Sequence, residues 1–187
     1  MGQELKAYLE RLVTLEPEAW QDFEKITELK NLKKGQHFLR QDEVCKRLGF
    51  IIKGYMRVYF LANGEEITKD FNFEDSFCGS YASFAQQQAS RFNVVAMENA
   101  TVCTLSRDGL FALYDKYPSI QKVGRISMEQ MFIRKEQRES AFLLDPAQKR
   151  YEDLIASHPK IEQRVPLKYL ASYLGIRAET LSRIRGL

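Results

Sequence analysis

Apolar residues near the N-terminus return at helical intervals. Leu5, Leu9, Leu12 and Val13 share one side of a predicted helix. Pro17 opens a second, with Trp20, Phe23, Ile26 and Thr27 together, so residues 3–30 are expected to be helical. Over residues 36–73 the period shortens to two and turn residues punctuate it. Strands are predicted over 36–40, 50–52 and 55–61. In the last of these Met56, Val58 and Phe60 alternate with Tyr55, Arg57 and Tyr59. Asn63-Gly64 then predicts a tight hairpin, because both turn residues tolerate positive φ. The returning strand is 66–73, and after a polar loop come 92–97 and 101–105. So many short strands must hide their edges, which predicts an antiparallel barrel, roll or jelly roll.

Helical spacing then resumes. Ser106 is placed to cap a helix over 107–117, which Pro118 ends. Ser119 is placed to cap a much longer one over 120–143. Ile120, Val123, Ser127, Met131, Arg134 and Arg138 trace one seam, yet Ile126, Met128, Phe132 and Ile133 lie off it. Such all-round apolarity needs cover on several sides, which favours a dimerisation helix over a core helix of one domain. Asp145-Pro146 marks a boundary, followed by a helix over 146–157.

The last residues hold the most specific signal. Pro166 suits a helix first turn; Leu167, Leu170, Ala171 and Leu174 form an apolar face; Gly175 sits where the chain must turn with positive φ. A second helix opens near Ala178, with Leu181 and Ile184 inward. That spacing predicts a helix-turn-helix, the alternative being a terminal helical hairpin with a solvated face. Arg177, Glu179, Ser182, Arg183 and Arg185 lie opposite, where arginine would read guanine and glutamate would accept from cytosine. Charge placement agrees. Residues 143–187 carry eight Lys/Arg and five Asp/Glu, an excess equal to the chain's net +3, while residues 1–142 hold 20 of each sign.

The β unit, long helix and terminal Glu179-Thr180-Leu181-Ser182-Arg183 resemble the cyclic-AMP receptor protein/Fnr (Crp/Fnr) superfamily of bacterial transcription regulators. Leu170-Ala171-Ser172-Tyr173-Leu174-Gly175-Ile176 is the other specific part, and Phe50-Ile51-Ile52-Lys53-Gly54-Tyr55-Met56-Arg57 resembles the family's strand-Gly-strand element. The resemblance implies an α+β fold: an N-terminal antiparallel β-roll of the cyclic-nucleotide-binding jelly-roll type, a long dimerisation helix and a C-terminal helix-turn-helix. The expected domains are 1–118 for the roll and its helices, 119–143 for dimerisation and 144–187 for DNA binding. It further implies a homodimer on double-stranded DNA, RNA polymerase as a protein partner, and base reading by Glu179 and Arg183. The candidate DNA-contacting residues are Lys168, Arg177, Glu179, Thr180, Ser182, Arg183 and Arg185. Ser182 matches the Fnr-like branch. Ala178 stands where relatives with cyclic-AMP-type operators often carry another arginine, and phosphate contacts from the family's frequent extension past this point, Leu187, are not expected.

Cyclic-nucleotide-binding relatives carry a Gly-Glu pair for the ribose and an Arg-Ser or Arg-Thr pair for the phosphate. Here the loop reads Phe77-Cys78-Gly79-Ser80-Tyr81-Ala82-Ser83-Phe84, without a glutamate after Gly79, and Arg91 falls one place past the expected Ser90. Cyclic AMP is therefore not expected to bind, and the effector is left open. Gly79, Ser80, Tyr81, Ser83, Ser90 and Arg91 are the candidate lining of a pocket for another small molecule, the alternative being a loop without a ligand.

Other chemistry is excluded by type and spacing. Cys45, Cys78 and Cys103 are widely spaced and odd in number, so neither a disulfide framework nor an iron–sulfur cluster is expected. His37 and His158 are isolated, so no metal site and no cofactor are expected. Glu65-Glu66 sits at a turn and is expected to be solvated rather than catalytic. Tyr55, Tyr59, Phe71 and Phe73, interleaved with Arg57 and Lys69, are expected to be faces of a packed sheet rather than a single-strand stacking platform. The chain is not expected to be an enzyme. No apolar run approaches the ~18 residues of a membrane span, and the N-terminus lacks a signal-peptide pattern, so a cytoplasmic, membrane-free protein is expected. The rival reading is a cyclic-nucleotide or other small-molecule module whose C-terminal helices dock protein rather than DNA.

Overall fold

The computed structural model describes residues 2–186. Two helices lead in, α1 (Gln3–Leu12) and α2 (Pro17–Lys25). The roll follows as β1 (Thr27–Leu32), β2 (His37–Leu39), β3 (Arg47–Lys53), β4 (Met56–Ala62), β5 (Glu65–Asn72), β6 (Phe77–Cys78), α3 (Tyr81–Gln86), β7 (Asn93–Ala96) and β8 (Ala100–Ser106). Then come α4 (Arg107–Lys116), α5 (Pro118–Leu144), α6 (Ala147–Ser157), α7 (Ile161–Arg164), α8 (Leu167–Leu174) and α9 (Ala178–Arg185).

The strands form two antiparallel sheets, ordered β1-β8-β3-β6 and β2-β7-β4-β5, the layered arrangement of a jelly roll. Asn63 and Gly64 close the β4–β5 hairpin with φ of 53° and 81°, the left-handed pair that a tight turn requires. Phe50, Val102 and Leu105 of one sheet and Met56, Val58, Val94 and Ala96 of the other are buried in one core. Leu5, Leu9 and Phe23 of the leading helices join it, as do Leu110, Leu113, Ile120 and Val123 of α4 and α5. Contacts divide the chain into two units, up to Met128 and from Glu129, with the break inside α5.

Several local expectations are corrected. Residues 27–30 are strand, not helix: β1 pairs Thr27 to Leu105 through Leu32 to Ala100, and ladder bonding overrides the helix-favouring Glu28, Leu29 and Lys30. Ser106 stands at the N-cap of α4 without a side-chain cap bond. Ser119 lies inside α5 rather than capping it, because Pro118 already has a φ suited to the first helical position. Its hydroxyl donates to Glu16 instead. β6 and α3 occupy the stretch expected to be a polar loop, and α7 lies where no element was predicted. Within this chain Ile120 and Val123 of α5 are buried, while Phe132 and Ile133 stay 67% and 52% exposed.

Candidate nucleic-acid interface and effector pocket

The helix-turn-helix forms as its spacing predicts. Leu170, Ala171 and Leu174 bury one side of α8, and Gly175 turns with φ 69°. The turn is a Schellman motif: the Ile176 N–H donates to the Ala171 carbonyl at 3.0 Å and the Gly175 N–H to that of Ser172 at 3.2 Å. In α9, Leu181 is fully buried and Ile184 partly so, which turns Glu179, Ser182 and Arg183 outward together. Arg177 is exposed at the N-cap and Lys168 is exposed on α8, its ammonium 4.7 Å from the Tyr169 ring centroid. Thr180 is half-buried and its hydroxyl accepts from Arg183 at 3.5 Å. Glu179 in the first turn and Arg183 and Arg185 in the last complement the helix dipole.

Arg185 is engaged. Its Nε lies 2.7 Å from Glu162 on α7, a carboxylate that also accepts from the Tyr151 hydroxyl at 2.9 Å. The Tyr151 pKa is raised, first by burial and then by that bond. Glu162 was not singled out in the sequence, because α7 carries no periodic signal.

In the roll, a cavity of about 350 Å³ is lined by Ser80, Ser83 and Arg91 of the expected set, with Phe60, Gln86 and Phe92 among its other walls. Gly79, Tyr81 and Ser90 do not line it. A Cβ on Gly79 would point at Leu48 and Cys45, the Tyr81 ring lies against Phe84, and the buried Ser90 hydroxyl donates to the Phe92 carbonyl at 2.8 Å. Ser80 caps α3 by accepting from the Ser83 N–H at 3.4 Å. The Ser83 hydroxyl accepts from the Cys45 N–H at 2.9 Å and donates to the Gln88 carbonyl. Among the described residues no carboxylate lines this cavity, and Arg91 is its cation.

The remaining candidates are structural. Glu66 is exposed, as expected, and pairs with the buried Arg57, whose guanidinium lies 4.2 Å over Tyr59 and donates to Thr68 at 3.3 Å. Tyr55 stacks on Phe73 at 5.3 Å. All three cysteines are buried, and burial pushes each thiol's pKa up. His37 lies 3.0 Å from the Tyr59 hydroxyl, and burial lowers its pKa. Among the described residues no group of metal-ligating side chains is present and no helix is long and apolar enough to cross a membrane.

Residues 29–117 match the family model of the cyclic nucleotide-binding domain. The fold is similar to that of the c-di-GMP-responsive global regulator CLP of Xanthomonas campestris, at 13% identity over 91% of this chain and 90% of that one, with a TM-score of 0.73. FixK2 of Bradyrhizobium japonicum aligns at 15% identity over 86% and 83%, TM-score 0.74. A Crp/Fnr-family protein of Eubacterium rectale aligns at 16% over 91% and 82%, TM-score 0.70. No curated protein sequence matches. Residues 29–117 are therefore similar to a cyclic nucleotide-binding domain, and the chain has the fold of the Crp/Fnr regulators, as the resemblance implied.

Proposed function

We propose that the chain is a homodimeric, sequence-specific DNA-binding transcription regulator of the Crp/Fnr type, acting in the bacterial cytoplasm and not as an enzyme. Residues 1–118 serve as sensor, 119–143 as dimerisation helix and 144–187 as DNA-binding domain. The observation that carries the reading is the outward face of α9, where Glu179, Ser182 and Arg183 are exposed together opposite the fully buried Leu181. Arg183 donates to a guanine and Glu179 accepts from a cytosine; Thr180 and Ser182 flank them. Lys168, Arg177 and the terminal nitrogens of Arg185 meet phosphates, the last held in place by Glu162. RNA polymerase is the protein partner such a regulator would engage.

The roll is proposed to have kept its fold without cyclic-AMP binding. Support comes from the absence of a lining carboxylate among the described residues and from Ser80, Ser83 and Ser90, whose hydroxyls bond within their own loop. A different small molecule, set by Ser80, Ser83 and Arg91, is the effector such a cavity would take. Selection from a random double-stranded library with the full chain should enrich an inverted repeat with half-sites about 10 base pairs apart. Failure to enrich any sequence, with a peptide or protein partner captured by α8–α9 instead, would replace this reading with that of a docking module.

A further inference from the structure

A helix leaves its last four carbonyls without intrahelical partners. At the end of α8 these belong to Ala171, Ser172, Tyr173 and Leu174, and each is satisfied. Ala171 and Ser172 accept from the backbone of the turn, at 3.0 and 3.2 Å. Tyr173 accepts from Arg138 at 3.0 Å and Leu174 from Arg150 at 2.9 Å. Two of the four caps are therefore guanidinium groups from α5 and α6, outside the helix-turn-helix itself. Both bring positive charge to the negative end of the α8 dipole.

Phe142 completes the arrangement. It lies one helical turn after Arg138 on α5, and its ring centroid is 4.6 Å from the Arg138 guanidinium and 4.7 Å from that of Arg150. A Cβ on Gly175 would come within 2.9 Å of the Phe142 ring, so the ring is seated directly on the turn. Arg138 also lies 3.8 Å over the Tyr173 ring, and Arg150 donates to the Asp145 carbonyl at 2.6 Å, just past the end of α5.

We propose that Arg138, Phe142 and Arg150 are positioning residues for the recognition helix: by closing the C-terminus of α8 from outside, they fix the Gly175 turn and with it the direction in which α9 leaves. The bonds are directional, and a rigid fork with several donors suits them better than a mobile ammonium. Because Arg138 and Phe142 belong to α5, a change in the pitch or rotation of that helix reaches the turn through these side chains. The consequence for DNA rests on the DNA-binding reading above; the clamp itself does not.

The test uses the full chain with Arg138→Gln, Arg150→Gln and the conservative Arg138→Lys. Lys149→Gln, which removes a neighbouring charge paired with Asp145 and Asp153, is the control. Hydrogen exchange at the Gly175 and Ile176 amides should quicken by about tenfold in the Gln variants. Arg138→Lys should recover part of the loss, and the control should exchange as the parent does. DNA affinity should fall by about tenfold at every salt concentration with an unchanged salt slope, since a positioning residue neutralises no phosphate. Unchanged exchange at both amides overturns the clamp, as does a slope shallower by about one unit per half-site, which would make Arg138 a phosphate contact. Faster exchange in the variants, with no DNA bound even by the parent, supports the clamp and removes the DNA reading alone.

Discussion

Arg183 leaves the last turn of α9 on its exposed face, and Glu179 stands one turn before it. Base readers and phosphate clamps leave different signatures. Arg183→Ala should remove about 1–3 kcal/mol of preference at one base pair in each half-site and leave the others intact. Arg185→Ala should weaken all sequences alike and make the salt slope shallower by about one unit per half-site. Competition binding on operator variants at two salt concentrations separates them; equal weakening of every sequence by Arg183→Ala would make that residue a phosphate clamp. The outward face was legible because Leu181 and Gly175 act locally, through a helical interval and a positive φ. The Arg185–Glu162 pair was not, because a contact between α9 and α7 leaves no trace in spacing. Buried thiols and phenols give a pH dependence, Cys78 and Tyr114 foremost. Burial raises the Cys78 thiol above its ordinary 9.0 and pushes the Tyr114 phenol from 10.0 up to about 12. Both hold their protons more tightly folded than unfolded. Their contribution is complete below the unfolded values and is lost as pH rises from about 9 towards the folded ones. Urea unfolding should show stability falling between pH 8 and pH 10.5. Tyr114→Phe should lessen the fall, and a flat profile would contradict the assignment.

The loop from β6 to β7 decides what the roll can hold. In α3 and the residues after it, hydroxyls are spent on backbone: Ser80 on Ser83, Ser83 on Cys45 and Gln88, Ser90 on Phe92. A ribose and a cyclic phosphate would find Arg91 and no carboxylate among the residues lining the cavity. Each missing charged hydrogen bond costs ~1.5–3 kcal/mol. Counting the absent carboxylate and an arginine one place past the expected position, two of them weaken cyclic AMP by roughly 10²–10⁴-fold. Calorimetry should therefore give no heat at micromolar nucleotide; a micromolar Kd would point to Arg91 as the phosphate ligand. At this scale the strands with clean alternation, β4 and β5 with their Asn63-Gly64 turn, were plain in the sequence. β1 was not, since an edge strand with four exposed residues has no buried alternation to reveal it. β6 and α3 are too short to carry a period, so the loop's cap at Ser80 could be placed only in three dimensions.

Among the described residues, the most exposed large apolar side chains lie on α5, at and beyond its middle. Phe132 and Ile133, with Leu143 and Leu144 near its end, are open in the single chain. Fully burying such a side chain contributes about 1.5–3 kcal/mol. A two-fold axis repeats every contact, so one patch is covered twice over by the same residues of a second copy. The excess of apolar residues over one seam was readable in the sequence; the exposure of Phe132 was not, because spacing does not say how far along α5 burial extends. Sedimentation at micromolar concentration should give about twice the chain mass of 21.8 kDa. The double substitution Phe132→Glu with Ile133→Glu puts four carboxylates across such an axis, and it should yield a monomer with the roll still folded, since neither side chain belongs to its core. Two recognition helices on one dimer would stand about 34 Å apart, one DNA turn, so each half-site raises the effective concentration of the other. The monomeric variant should then lose 10²-fold or more on an inverted repeat while a single half-site binds as before. If the parent chain sediments as a monomer at these concentrations, the pairing is wrong. If the variant stays dimeric, a surface other than the middle of α5 makes the contact.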